Sequence, residues 1–243
     1  MKSLLTCCSL LALFIAGCAS DPTRSSDSIS LFNGQDLSQW RNPSPGWTVA
    51  ESVSLNPENP HLFVIHPGTG VFVNGPTGEE RNLMAKLEHG DAAIHVEFNV
   101  SSNSNSGVYV QGRYEVQILD SWGVPNDHLK YGDCGGIYQR WNNGKGYDGH
   151  APRLNASRRP GEWQSFDIIF RAPRFDDSGK KTENGRFIKV WQNGKLIHEN
   201  AEVTGPTRSP GFEHEAALGP IMLQGDHGPV AFRNLRIKPL HLE

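Results

Sequence analysis

Residues Ala93–Val100 alternate strictly. Ile94, Val96, Phe98 and Val100 fall on one side of an extended chain, and His95, Glu97 and Asn99 fall on the other. A period of two describes a strand with one apolar face. The same period, or a short β-rich run, returns along most of the chain. Gly107–Gln111 and Tyr114–Leu119 read as a pair joined at Gly112-Arg113, a connection short enough for a tight hairpin. Phe166–Arg171 alternates weakly. Arg186–Trp191 and Leu196–His198 flank Gln192-Asn193-Gly194-Lys195, where Asn-Gly supplies the positive φ angles of a type I′ turn. Gly219–Gln224 and Val230–Lys238 supply the last strands, and a helical turn is expected only around Glu79–Lys86. With 26 glycines and 16 prolines in 243 residues, long helices have little room. Many short strands between turns predict an all-β fold of two stacked antiparallel sheets. The outer polar face of one sheet can then serve as a shallow platform for a ligand.

The first residues are of a different kind. Lys2 precedes the apolar run Leu4–Ala16, which is too short to span a membrane comfortably and ends in Ile15-Ala16-Gly17-Cys18. This end resembles the lipobox of bacterial lipoproteins. The resemblance implies a signal peptide over 1–17, a lipid on Cys18, and anchorage at the periplasmic side of the outer membrane. Residues 18–30 are expected to be a polar, Ser-rich tether, and 31–243 a single domain. Contact with the membrane is expected through the N-terminal lipid only. Once the signal is removed and Cys18 is used for lipid, Cys134 alone remains, and it reads as a small buried apolar residue. The net charge of −3 comes without a basic stripe, so nucleic acid is not an expected partner.

Ordered landmarks then accumulate: Leu31-Phe32-Asn33-Gly34 through Trp40, Gly46-Trp47-Thr48-Val49, Asn105-Ser106-Gly107-Val108-Tyr109, Tyr114–Asp120, Gly161-Glu162-Trp163, Gly219-Pro220-Ile221, Asp226-His227-Gly228 and Phe232–Ile237. The set, spanning about 31–240, resembles the 3-keto-disaccharide hydrolase domain family, formerly a domain of unknown function. The resemblance implies a concanavalin/laminin-G-like sandwich of jelly-roll type and activity on glycosides oxidised at C3. Two stretches depart from the family pattern. Glu51–Val73 lacks the usual short Asp-Gly turn, and Gly132–Arg159 is a long loop-rich insertion.

A 3-keto sugar asks for one base to take the C2 proton, an electrophile to steady the enolate oxygen, and loss of the C1 substituent by β-elimination; water can then add. Glu115 and Gln117 are two apart on a strand and point away from Tyr114, Val116 and Ile118. Glu115 is the candidate base, or else a solvated carboxylate of the outer face. Gln117 and Gln224 are candidates to bind sugar oxygens. Asp120, at the strand end, could hold a hydroxyl or a cation, or cap a turn. His227 could be a general acid, a base or a metal ligand, or a structural histidine. Asp226 beside it need not be its partner, because neighbouring side chains diverge in extended chain. Asn105 could bind hydroxyls or turn the chain, while Tyr109 and Arg113 could frame the ring. Tyr138, Trp122, Trp141 and Tyr147 lie near or within the insertion, where they could stack on sugars or anchor the loop. Trp40, Trp47 and Trp163 read as core. His95 and Glu97 share a strand face, which allows a metal pair geometrically, but the first reading is surface residues on a half-solvated sheet. No cofactor is required, a divalent metal is possible, and no His-Glu-x-x-His spacing occurs. The chain has neither a P-loop nor a Gly-x-Gly-x-x-Gly after a strand, so a separate sugar 3-oxidoreductase would supply the keto group. The alternative function is a non-catalytic carbohydrate-binding module, and a third is a surface lipoprotein that meets other proteins.

Overall fold

A computed structural model describes residues 22–23 and 27–243. The expected signal peptide and lipidated Cys18 lie outside the described residues. Seventeen strands occur among the described residues: β1 Ile29–Ser30, β2 Trp40–Arg41, β3 Thr48–Leu55, β4 Phe63–Val73, β5 Leu83–His89, β6 Ala92–Val100, β7 Asn105–Val110, β8 Tyr114–Leu119, β9 Arg140–Asn142, β10 Lys145–Tyr147, β11 Gln164–Arg171, β12 Arg174–Phe175, β13 Lys181–Glu183, β14 Gly185–Gln192, β15 Lys195–Val203, β16 Gly219–Leu223 and β17 Val230–Pro239. A single short 3-10 turn, Asn126–His128, accompanies them.

Two antiparallel sheets form the layers. The larger runs β15-β14-β11-β6-β17-β4-β3, with β1 added against β17; the smaller runs β2-β5-β16-β7-β8. This is the two-sheet antiparallel sandwich expected from the alternation, and the class of fold that the resemblance implies. Ile94, Val96, Phe98 and Val100 of β6 face Val108, Val110, Tyr114, Val116 and Ile118 of the smaller sheet in one hydrophobic cluster. Phe98 and Phe166 meet at 4.7 Å and Tyr114 and Phe170 at 5.4 Å between ring centroids. Burial of this apolar surface is the main force holding the sheets together.

Several expectations change. Glu79–Lys86 holds no helical turn. Leu83 and Ala85 are buried in β5, whose pairing with β2 and β16 overrides the helix-favouring composition. Residues 111–113, not Gly112-Arg113 alone, make the β7–β8 turn, with positive φ at Gln111 and Gly112. The Gln111 amide holds it there by donating to the carbonyls of His89 and Ala217, both at 2.9 Å. Ile29 and Ser30 belong to the fold and not to a tether, since they pair with Ile237 and Arg236. The Asn193-Gly194 turn forms as expected, with φ of 51° and 76°. Trp40 and Trp47 are buried. Trp163 is half-buried outside the main core, with the Arg233 guanidinium 4.0 Å from its ring centroid. Cys134 is buried and its thiol is pushed up to about 11 by desolvation, which suits an inert packing role.

The outer face of the larger sheet carries the other half of β6. His95 is buried with Nδ1 2.7 Å from Asp167 Oδ1, while Glu97 receives Arg233 Nε at 2.7 Å and Asn234 Nδ2 at 2.8 Å. The His95 ring, with Nε2 3.7 Å from Oε1, and then the hydrogen bonds from Asn234 and Arg233, hold the Glu97 carboxyl down at about 2. These groups form an ion-pair network in place of the solvated surface expected there.

Candidate active site

The polar half of β8 points out of the sandwich, opposite the core residues of the same strand. There Glu115 and Gln117 stand opposite Tyr109 and Gly107 of β7. Loops roof them over. Residues 135–138 of the insertion lie along the free edge of β8: Gly135 N–H donates to Gln117 O (2.7 Å), Gln117 N–H to Gly136 O (2.8 Å) and Tyr138 N–H to Glu115 O (3.0 Å). A second loop is tied in by Arg208 N–H to Gln139 O (2.8 Å) and by Glu115 N–H to Thr207 Oγ1 (3.1 Å). The result is a polar cavity of about 170 Å3. It is lined by Asn105, Tyr109, Glu115, Gln117, Tyr138 and Gln224, with Arg208, Ser209 and His227 at its loops.

Glu115 is therefore no solvated carboxylate; only 3% of its surface is exposed. Gly107 leaves the space its side chain occupies, since a Cβ there would fall on the carboxyl. Removal from water pushes the Glu115 carboxyl up to about 8. The Tyr109 hydroxyl beside the carboxyl, which also donates to Arg208 O at 3.3 Å, opposes this in part, and the charge of Asp226 adds to it. The Gln117 amide nitrogen lies 2.9 Å from Ser106 O and 3.1 Å from Glu115 Oε1, so its neighbours orient it as a donor to both. Burial, and next the charge of Glu115, raise the Tyr138 hydroxyl above its ordinary value.

His227 sits in the bend after β16, more than half exposed, with its Nδ1 2.6 Å from Asp226 Oδ1. The expected divergence of these neighbours does not occur, because Asp226–Gly228 bend instead of running extended. A carboxylate on Nδ1 fixes the tautomer with Nδ1 protonated and leaves Nε2 available. Gln224 Nε2 lies 3.2 Å from the same nitrogen. Among the described residues, no group of three or more His, Cys, Asp and Glu comes together as a metal site.

Two residues picked from the sequence lie elsewhere. Arg113 does not frame the cavity: Nε donates to His214 O (2.6 Å), Nη1 donates to Gln111 O (2.9 Å) and Leu218 O (3.2 Å), and the guanidinium lies 4.9 Å from the Phe212 ring centroid. It staples the 211–218 loop to the β7–β8 turn. Asp120 caps a turn, accepting from Asn103 N–H at 3.0 Å and Trp122 N–H at 3.3 Å. Conversely, Arg208 and Ser209 line the cavity and carried no signal in the sequence. They lie in Gly205-Pro206-Thr207-Arg208-Ser209-Pro210, a loop without periodicity.

Known proteins agree with this architecture. A protein from Parabacteroides distasonis ATCC 8503, provisionally named a glycosyl hydrolase, is 31% identical over 88% of this chain and 84% of its own, with a TM-score of 0.65. A second such protein from the same organism shares the fold at 20% identity, covering 88% of this chain and 99% of its own, with a TM-score of 0.57. No curated protein matches the chain. The family model of the 3-keto-alpha-glucoside-1,2-lyase-like domain matches residues 27–238. The chain belongs to that family of carbohydrate-active domains.

Proposed function

We propose that the protein cleaves 3-keto-glycosides by elimination across C1 and C2, with Glu115 as the base. The carrying observation is the buried Glu115 carboxyl at the floor of a polar cavity that also presents a His–Asp pair and a guanidinium. Glu115 takes the C2 proton. The C2–H electron pair forms the enolate, with its negative charge on the C3 oxygen. Arg208 is the cation lining the cavity and, with the Tyr138 hydroxyl, would stabilise that oxygen; the Gln117 amide, whose two N–H groups face Ser106 O and Glu115, would hold the base and accept from a sugar hydroxyl. Collapse of the enolate forms the C1=C2 double bond and breaks the bond from C1 to the glycosidic oxygen. His227 in its imidazolium form, with Nδ1 held by Asp226, gives that oxygen the proton on Nε2 and is left neutral. Addition of water to C1=C2 would complete a net hydrolysis. A carboxyl near 8 suits this work, since a base is most effective with a pKa near the working pH. Asn105 and Gln224 would bind ring hydroxyls.

The test is release of the leaving group from 3-keto-glucosides beside the unoxidised glucosides, with and without chelator. Release from the keto sugars alone is expected. Sugar bound with no release from either would overturn the reading in favour of a binding module. The chelator arm reports whether a divalent ion assists. A separate sugar 3-oxidoreductase would make the substrate. Anchorage through Cys18 at the periplasmic side of the outer membrane belongs to the same proposal, resting on the sequence. Labelled fatty acid should enter the expressed protein and be lost in Cys18→Ser; label retained in the variant would sink it.

A further inference from the structure

Arg208 and Ser209 form part of the wall of the Glu115 cavity. Both residues also line a second cleft of about 500 Å3, shared with the β9–β10 hairpin of the insertion. Trp141 and Tyr147 stand on that hairpin with 44% and 39% of their surfaces exposed, and neither belongs to the hydrophobic core. Rings of this size are ordinarily withdrawn from water, and a pair left open on one cleft marks a contact surface.

Both rings are held in place. The Arg208 guanidinium lies 4.1 Å from the Trp141 ring centroid and that of Arg140 lies 5.0 Å from the Tyr147 ring centroid. Arg140 Nη1 also donates to Thr204 Oγ1 at 2.8 Å, and that hydroxyl donates to Asp148 Oδ2 at 2.6 Å. Gly146 leaves room for the Gln139 side chain at the root of the hairpin. Each ring thus spends part of its surface on a fixed cation and keeps the rest open. Glu213 at the rim sets a negative charge against the two arginines, so the cleft does not select strongly for either sign.

We propose that this cleft is the leaving-group subsite, which takes an uncharged ring (a pyranose or an aryl group) stacked on Trp141 and Tyr147 while the oxidised ring lies over Glu115. The inference rests on the proposed function and adds the selectivity of the same site. Its physical basis is that sugar C–H faces and aryl rings both stack on aromatic side chains.

The test compares kcat/KM for methyl, phenyl and glucosyl 3-keto-glucosides in the wild type, Trp141→Ala and Tyr147→Ala. The quantity read is the ratio of each ring-bearing substrate to the methyl one, which cancels any general loss of folding or chemistry. That ratio should fall about tenfold in Trp141→Ala. A larger fall for glucosyl than for phenyl would identify the pyranose as the occupant, and the reverse the aryl group. Unchanged ratios for both substrates would overturn the subsite. If the wild type turns over none of the three, the elimination reading fails by itself. The subsite is then read by calorimetric binding of unoxidised phenyl glucoside and a glucosyl disaccharide: weaker binding in Trp141→Ala supports it, and equal binding overturns it.

Discussion

Glu115→Gln should lower kcat on a 3-keto-glycoside by about 10²–10⁴-fold while the variant still binds the sugar. The substitution keeps the shape and removes the base. In the wild type, kcat/KM should climb as pH rises, with a midpoint near 8, because only the ionised carboxylate takes a proton and burial raises its pKa to about 8. The glutamine variant should lose that limb. The same shift has a consequence for stability. The folded pKa is raised above its ordinary 4.5, so the fold favours the neutral form. The contribution of Glu115 to stability is therefore fully present below about 4.5 and is lost as pH rises through about 8. Denaturant melts between these limits should fall with pH in the wild type and fall less in Glu115→Gln. Near-wild-type turnover in the variant, or an unaltered pH–rate profile, would remove Glu115 from the chemistry.

Gly107→Ala should damage the same step while leaving Glu115 itself in the chain. The added Cβ would occupy the place of the Glu115 carboxyl group, so the side chain must swing away or the two strands must part. Overpacking of this kind costs about 1–3 kcal/mol of stability. A displaced base should cost about a hundredfold or more in kcat. The double variant Gly107→Ala/Glu115→Gln should then be little slower than Glu115→Gln alone, since both changes remove one function. Multiplicative losses would mean that Gly107 acts on turnover by some route other than Glu115.

The fold was legible because alternation is a local signal. Ile94, Val96, Phe98 and Val100 needed only their own spacing to declare the core face of β6, and Asn193-Gly194 needed only its φ preference. The candidate site was legible on its strands for the same reason: Glu115 and Gln117 had to share a face, and Tyr109 follows from the pairing of β7 with β8. Long-range facts were not legible. Nothing around Glu115 in the sequence says that residues 135–138 and 206–209 will roof it, so its burial and raised pKa came only from the structure. Arg113 shares the strand direction of Glu115, yet the carbonyls of a distant loop claim its guanidinium. Asp226 and His227 meet because the chain bends locally, which alternation in neighbouring strands does not foretell. Arg208 enters the cavity from a Pro-flanked loop whose place is set by tertiary hydrogen bonds.

The joining of the insertion to β8 divides labour within one loop. Its root, residues 135–138, shares a hydrogen-bond ladder with the strand that bears Glu115 and Gln117. Its tip, the Arg140–Tyr147 hairpin, touches that strand hardly at all and faces the outer cleft. Changes at the root unpin the reacting groups and also bare a strand edge to foreign chains. Changes at the tip act on the outer cleft and reach the Glu115 cavity only through the Arg208–Trp141 contact. One loop thus joins two mechanical duties, a root that holds a strand in register and a tip that is free to meet what lies outside.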